Sequence, residues 1–98
     1  MKPHLFHPAA SEEYAEAVKQ YAATSPELGS RFRDEIERLL LAIRRQPDRF
    51  FRFNPPARRA LSQKFPFGVV YLKKPECVWV LAVMQVKRRL GYWRGRMD

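Results

Sequence analysis

The first half of the chain contains two stretches in which apolar residues recur every three or four positions, the spacing of one helix face. The first begins at Pro8 and continues to about Ala22. The second starts at Ser25–Pro26, a favourable N-cap followed by a proline at the first helical position, and ends near Gln46, which precedes another proline. Because only a two-residue break separates them, the pattern predicts an antiparallel helical hairpin.

The remaining apolar runs have the length and composition of β-strands. A short strand is predicted within residues 2–7, and three more at residues 58–64, 67–73 and 76–84. The last of these is apolar on both faces, whereas an antiparallel strand with one solvated face alternates. We therefore expect it to be central, with the helices over one face and the C-terminal segment or a partner chain over the other.

The segment between the second helix and these strands contains two adjacent prolines and three phenylalanines. Proline is disfavoured inside a sheet, so we expect a loop with at most a short edge strand. Phe50, Phe51 and Phe53 are expected to fill the core beneath it, unless one is an exposed anchor for a partner. The predicted order is β-α-α-β-β-β, an α+β fold with a mostly antiparallel sheet, in a single domain spanning residues 1–98.

Charge divides the chain into two different halves. Residues 1–48 carry seven Lys or Arg and eight Asp or Glu, a net charge of −1, whereas residues 49–98 carry twelve against two, a net charge of +10. Nine of the thirteen aromatic residues also lie in the second half. Such a surface suits phosphates, nucleic-acid bases or an acidic protein. The alternative is a basic surface that serves only solubility.

The candidate target contacts are the basic and aromatic residues that flank the predicted strands. They are Arg58, Arg59, Lys64, Lys87, Arg88, Arg89, Tyr92, Trp93, Arg94 and Arg96. An antiparallel sheet can bring such clusters to one end. Trp93 has a structural alternative as a lid folded over the sheet, and Arg88 has one as the partner of an acidic helix residue. Arg and Lys can also stabilise the transition state of RNA cleavage while a Tyr moves a proton.

Several kinds of site are disfavoured by the sequence. His4 and His7 lack a Cys or acidic neighbour and would fall on opposite faces of a strand, so no metal is expected. No glycine-rich phosphate loop occurs, and we expect no cofactor. Cys77 is alone in an apolar run and is expected to be buried. With no signal peptide and no run of ~20 apolar residues, a cytoplasmic protein without a membrane segment is expected.

Four stretches, in order, resemble the RelE/ParE superfamily of toxins from bacterial toxin–antitoxin pairs. They are "FHPAASEEYAEAVKQY", "SPELGSRFRDEIERLLLAIRRQP", "KFPFGVVYL" and "VWVLAVMQVKRRLGYWRGR", and together they span nearly the whole chain. The resemblance implies a small toxin with the β-α-α-β-β-β fold. It also implies a hetero-oligomer with a cognate antitoxin, which wraps the toxin with a helical or extended C-terminal segment and silences it.

The superfamily divides by target, and one branch cleaves messenger RNA in the ribosomal A site. Tyr92 and Arg59 match residues of this branch. Because Arg88 lies close to a further arginine position of that branch, Arg59, Arg88 and Tyr92 are the catalytic candidates if the chain is a nuclease.

The other branch inhibits DNA gyrase without being a nuclease. Gly68 and Val86 stand where the cleaving branch tends to carry arginine, and Gln85 stands where related sequences often carry His. These departures remove the obvious acid–base residue of the segment. We therefore expect ParE-like inhibition of DNA gyrase rather than catalysis. Ribosome-dependent cleavage of mRNA and a non-toxic basic RNA-binding module are the alternatives.

Overall fold

The computed structural model of the chain describes residues 1–89 and 91–97. Its elements are β1 (His4–Phe6), α1 (Pro8–Thr24), α2 (Pro26–Arg45), β2 (Phe51–Arg52), β3 (Arg58–Leu61), β4 (Phe67–Lys73), β5 (Val78–Gln85) and a short 3-10 helix (Arg94–Arg96). The strands form one sheet in the order β1-β5-β4-β3-β2. All neighbours are antiparallel except β1 and β5, which are parallel. The predicted α+β fold is confirmed.

The helical hairpin forms where its local signals place it. The Ser25 hydroxyl accepts a hydrogen bond from the Leu28 N–H (3.0 Å) and caps α2, and Gln46 is the C-cap residue. Ser25 alone separates the two helices, so the break is one residue shorter than expected. The helices also approach closely at Gly29, where an added Cβ would lie 2.7 Å from the Cβ of Ala22.

Two strands are shorter than predicted, because turns end the ladder. β3 stops at Leu61 rather than at residue 64, since the Ser62 hydroxyl accepts the N–H groups of Lys64 and Phe65 (both 3.0 Å) and closes the turn into β4. At the other end of β4, the Lys74 N–H donates to the Cys77 carbonyl (2.9 Å), and β5 begins one residue later.

β5 lies between β1 and β4, so the prediction that the doubly apolar strand is central is confirmed. One face of the sheet packs against the two helices and forms the helix-side core, which includes Phe32, Ile36, Tyr71 and Val80. The other face is covered by residues 91–97, the C-terminal arm. This arm-side core consists of Ala57, Val70, Leu72, Leu81, Ala82, Met84 and Trp93.

The three phenylalanines of the loop have three different environments. Phe50 packs against the helix-side core, and Phe53 packs against the arm-side core. Phe51, in the edge strand β2, is 72% exposed. Phe50 and Phe53 thus pack against the core as expected, and Phe51 is the one exposed residue that the sequence left open, because its short strand places the side chain at the rim of the sheet, where no described element covers it.

Candidate functional site on the arm side of the sheet

Along the second half of β5, the edge on the β1 side forms hydrogen bonds with side chains and not with a strand. β1 pairs with β5 only as far as Val80. Beyond this point, the Leu81 carbonyl accepts a hydrogen bond from Arg96 (3.0 Å), and the Val83 N–H donates to Glu13 (3.1 Å). A carboxylate from α1 and a guanidinium from the C-terminal arm thus satisfy backbone groups that β1 does not reach.

Glu13 contacts three of the candidate residues near the end of the chain. Its Oε1 accepts from Arg96 (3.0 Å), its Oε2 accepts from the Tyr92 hydroxyl (2.8 Å), and Arg88 Nη1 lies 3.9 Å from Oε2. The Glu13 side chain is only 16% exposed, so these charge-assisted bonds are partly shielded from water. Three of the ten predicted contacts therefore meet at one helix carboxylate, and the alternative reading of Arg88 as its partner is confirmed.

Tyr92 is held as a protonated phenol at this cluster. Burial, followed by the hydrogen bond to Glu13 and its negative charge, raises the pKa of the Tyr92 hydroxyl well above its usual range. The guanidinium carbons of Arg88 and Arg96 lie 4.1 Å and 5.0 Å from the centre of its ring. The hydroxyl proton is thus directed at Glu13 and not at solvent.

Trp93 is fully buried in the arm-side core. The preceding turn depends on Gly91, whose φ of +80° is in the left-handed region that favours glycine. The alternative interpretation of Trp93 as a lid over the sheet is confirmed. Its assignment as a target contact does not fit this conformation, because its indole has no exposed surface.

Arg59 and Arg94 lie beside the loop that carries Phe53. The guanidinium carbon of Arg59 is 4.1 Å from the centre of the Phe53 ring, which in turn lies 5.8 Å from the Trp93 ring. Arg94 lies against the side-chain amide of Asn54. No hydrogen bond or ring contact joins Arg59 to Arg88 or Tyr92 within residues 1–89 and 91–97.

Arg58 has a structural role that the sequence did not indicate. Its guanidinium donates to the carbonyls of Asp48 (3.1 Å) and Phe50 (2.9 Å) and lies 3.6 Å from the Asp48 carboxylate. The side chain is 19% exposed. It therefore fastens the loop before β2 to the sheet, and it presents little of its charge to a partner.

Lys64, Lys87 and Arg89 are exposed, and within the described part of the chain they form no ion pair. Lys64 lies in the β3–β4 turn, while Lys87 and Arg89 follow β5. Because β3 and β5 both end at the side of the sheet where β4 begins, these residues share one end. The predicted convergence therefore holds for them, whereas Arg58 lies farther along the sheet, opposite Tyr71.

Sequence reasoning missed the two residues that organise the site, Glu13 and Phe53. Glu13 reads as one of several carboxylates near the start of α1, where the helix dipole favours negative charge. Its partner Arg96 is 83 residues away, so no local spacing identifies the pair. Phe53 reads as one of three similar loop aromatics, and only its contacts with Arg59 and Trp93 distinguish it.

The two histidines have local structural roles. His7 Nδ1 accepts the Ala9 N–H (3.0 Å) and caps α1, while the His4 ring packs edge-on against Phe6. Burial lowers the pKa of His4. Across residues 1–89 and 91–97, no group of three or more His, Cys, Asp or Glu side chains could hold a metal ion. Neither described helix is both long and apolar enough to cross a bilayer.

Comparison with known proteins identifies the fold. The chain is similar to a chain of a solved structure described as "Chromosomal ParDE TA system from P. aeruginosa", with a TM-score of 0.74 and 13% sequence identity. The match covers 87% of this chain and 96% of that one. No protein-family model and no curated protein matches the sequence. At this identity the likeness establishes a shared fold.

Proposed function

We propose that the chain is the toxin of a type II toxin–antitoxin pair, that a cognate antitoxin neutralises it in a hetero-oligomer, and that it inhibits DNA gyrase in the cytoplasm without cleaving RNA. The observation that carries the proposal is the fold, which covers nearly all of a chain from a ParDE toxin–antitoxin structure. The basic second half, with its net charge of +10, supplies a surface for an acidic partner or target.

The geometry around Tyr92 supports binding over cleavage. A catalytic Tyr must exchange a proton with the reacting group, whereas the Tyr92 hydroxyl donates to Glu13 and its pKa is raised. Arg59, the second nuclease candidate, contacts Phe53 and not the pair of Arg88 and Tyr92. A catalytic group would have to be assembled by moving the arm, while a binding surface needs no such step.

The proposal is tested by following two activities of the purified protein at concentrations that match growth arrest in cells. We expect inhibition of gyrase supercoiling, with trapped cleaved DNA, and intact messenger RNA in a purified translation system mapped by primer extension. Tyr92→Phe, which keeps the ring but removes the hydroxyl, is expected to retain gyrase inhibition. New RNA ends that require ribosomes and disappear in Tyr92→Phe would instead make the protein a nuclease.

Ribosome-dependent cleavage of mRNA is the second candidate function, because one observation favours it. Arg88 and Tyr92 are adjacent, with 4.1 Å between the guanidinium carbon and the ring centre, and a cation beside a phenol can stabilise a phosphoryl transition state. Arg88→Ala would then abolish cleavage. Harmless expression without any antitoxin would contradict both candidates and favour a basic RNA-binding module.

A further inference from the structure

The edge strand β1 is attached to the sheet over only three residues. Its two ends are held by backbone hydrogen bonds to β5, since the Val78 N–H donates to the Pro3 carbonyl (2.9 Å) and the His7 N–H donates to the Val80 carbonyl (2.9 Å). β5 is its one neighbour among the described strands. Local opening of so short an edge costs less free energy than unfolding of the core. A change that weakens this attachment therefore acts on β1 first.

His4 is the polar side chain that β1 directs towards the helices. It is opposite Val78 of the helix-side core, so its ring points to the same face as Phe6. The rings of His4 and Phe6 pack edge-on, with 5.3 Å between their centres. The Nδ1 atom of His4 is buried, and no hydrogen-bond partner for it is found in the described part of the chain. A second proton on this ring would therefore create an N–H without an acceptor.

A cation lies close to the same strand. Arg44, in the last turn of α2, donates from Nε to the Lys2 carbonyl (2.9 Å), two residues before His4. The Lys2 ammonium donates to the Lys74 carbonyl (2.8 Å). Burial, followed by the positive charge of Arg44, lowers the pKa of His4 from its ordinary value of 6.5. The strand is thus built around a neutral imidazole.

The one carboxylate that acts on His4 is engaged elsewhere. Glu37 of α2 acts against the lowering of the His4 pKa, but its Oε2 accepts a hydrogen bond from the Tyr14 hydroxyl of α1 (2.8 Å). On the β5 side, His4 is opposite the apolar Val78. Neither the helices nor β5 therefore provides a free acceptor for an imidazolium at this position.

We propose that His4 makes the attachment of β1 sensitive to acid: when its imidazole gains a second proton, β1 is released from the sheet and the adjoining edge of β5 is opened. The proton adds a second positive charge beside Arg44 and an N–H without an acceptor. Movement of β1 away from α2 relieves both, because it returns the imidazolium to water. This device belongs to the fold and is independent of the proposed function.

Release of β1 has a defined consequence for β5. Beyond Val80, the β1-side edge of β5 is already without a neighbouring strand. Without β1, the Val78 N–H and the Val80 carbonyl lose their partners as well. An apolar strand then has its edge open from Val78 to Gln85, and such an edge accepts further strands. Acid thus converts a central strand into an edge strand.

The direction of the effect follows from the lowered pKa of His4. A group whose pKa is lower in the folded chain than in the unfolded chain stabilises the fold fully above its unfolded value, near 6.5. This contribution is lost as the pH falls through the folded value, so opening increases on acidification. One proton changes an opening equilibrium by at most about tenfold for each pH unit. We expect the opening of β1 to increase about threefold or more between pH 7 and pH 5.

The test is amide hydrogen exchange of the purified full chain, followed by NMR at pH 7 and pH 5 and corrected for the intrinsic exchange rate at each pH. The amides of Val78 and His7 report on β1, because they form its two end bonds to β5. We expect their protection to fall by the factor given above, while the amide of Leu40 in α2 keeps its protection.

Variants separate His4 from the second histidine. His4→Phe keeps a ring against Phe6 but takes up no proton, and it should abolish the pH dependence. The matched control is His7→Asn, which keeps an acceptor for the Ala9 N–H at the cap of α1 and should leave the pH dependence in place. Arg44→Gln keeps a donor for the Lys2 carbonyl without the charge, so it should reduce the pH dependence even if His4→Phe does not fold.

Three outcomes would overturn this proposal. The first is protection of Val78 and His7 that does not change between the two pH values. The second is a pH dependence that persists in His4→Phe or is unchanged in Arg44→Gln. The third is a pH dependence that disappears in His7→Asn, which would assign it to the cap of α1. None of these measurements involves toxicity, so a chain that is harmless to cells would refute the proposed function and leave the role of His4 to be decided by exchange.

Discussion

The helix-covered face of the sheet and the arm-covered face are both apolar, but very different lengths of chain close them. The first face is covered by α1 and α2, which are 17 and 20 residues long. The second face is covered by the short C-terminal arm, in which Trp93 alone is fully buried. On the helix side, the aromatic rings of Tyr21, Phe65 and Phe67 lie 4.9–5.2 Å from the centre of Phe32.

The two faces therefore differ in role. The helix-covered face serves stability, and the arm-covered face retains exposed surface for recognition. On the face covered by two long helices, the buried apolar residues act through packing. On the face covered by a short arm, Phe51 and Leu61 remain exposed to water. Each face is also fastened by a carboxylate that is largely buried: Glu35 on the helix side and Glu13 on the arm side. Substitutions on the two faces should therefore differ in how much stability they remove and in how much of the molecule they affect.

Phe32→Ala should have the largest effect on stability. The residue is fully buried at the centre of the helix-side aromatic cluster, and removing a buried aromatic side chain leaves a cavity as well as losing transfer free energy. We expect a loss of about 4 kcal/mol in the free energy of unfolding, measured by urea denaturation. Phe32→Leu, which keeps an apolar side chain at the site, should cost less than half as much. A loss below about 1 kcal/mol in Phe32→Ala would show that the helix side is not the main core.

Trp93→Ala should have the next largest effect, and the effect should be local. We expect a loss of about 3 kcal/mol because Trp93 is the only fully buried side chain that the arm contributes to its core. Hydrogen exchange should show lost protection in residues 91–97 and in the β5 edge, while amides of α2 keep theirs. Trp93→Phe, which keeps a large ring, should restore most of the arm's protection. Equal loss of protection in α2 would show that the two faces do not differ in this way.

Glu13→Gln removes the carboxylate that holds the C-terminal arm through Tyr92 and Arg96. It should lower the free energy of unfolding, measured by urea denaturation, by about 2 kcal/mol, the range for hydrogen bonds to a charged group. The variant keeps an acceptor for the Val83 N–H but loses the charge that faces Arg96 and Tyr92. Glu12→Gln, one residue earlier and exposed, is the matched control and should stay within about 0.5 kcal/mol. Equal effects in the two variants would mean that the net charge of α1 matters and the cluster does not.

The sequence was informative wherever structure depends on neighbours in the chain. The α2 cap at Ser25, the end of α2 at Gln46 and the central position of β5 all follow from local patterns, and the structure confirms each of them. The end of β3 was misjudged, because it depends on how the Ser62 hydroxyl is oriented in the folded turn. Local pattern therefore predicts the existence and type of an element better than its last residue.

The candidate site could be predicted only as a set of residue types. Basic and aromatic composition identified the ten candidate contacts, but it did not separate Arg58, which fastens a loop, from Arg59, which lies over the Phe53 ring. That difference depends on which side of β3 each residue faces and on the position of the Asp48 loop. The sequence likewise left Trp93 as either a target contact or a lid, and only its position in the arm-side core distinguishes the two.

Glu35 is the helix-side counterpart of Glu13, and its contribution should depend on pH. Arg38 donates two hydrogen bonds to its carboxylate (2.8 and 3.1 Å), and the Ser62 hydroxyl donates a third (2.6 Å). The hydrogen bonds from Arg38 hold the pKa of the Glu35 carboxyl below its usual value, although burial acts in the opposite direction. Because the Arg38 side chain is 55% exposed, we expect Glu35→Gln to cost only about 1 kcal/mol at pH 7.

The pH dependence of that cost distinguishes a charge effect from a packing effect. A carboxyl whose pKa is lower in the folded chain than in the unfolded chain stabilises the fold fully above its unfolded value, near 4.5, and loses this contribution as the pH falls through the folded value. The stability difference between the wild type and Glu35→Gln, taken from urea midpoints, should therefore shrink between pH 6 and pH 2. Asp34→Asn, at an exposed neighbouring position, controls for the general effect of acid. A difference that stays constant across this range would assign the role of Glu35 to shape and hydrogen bonding, and the helix side would then contain no charge-dependent fastening comparable to Glu13.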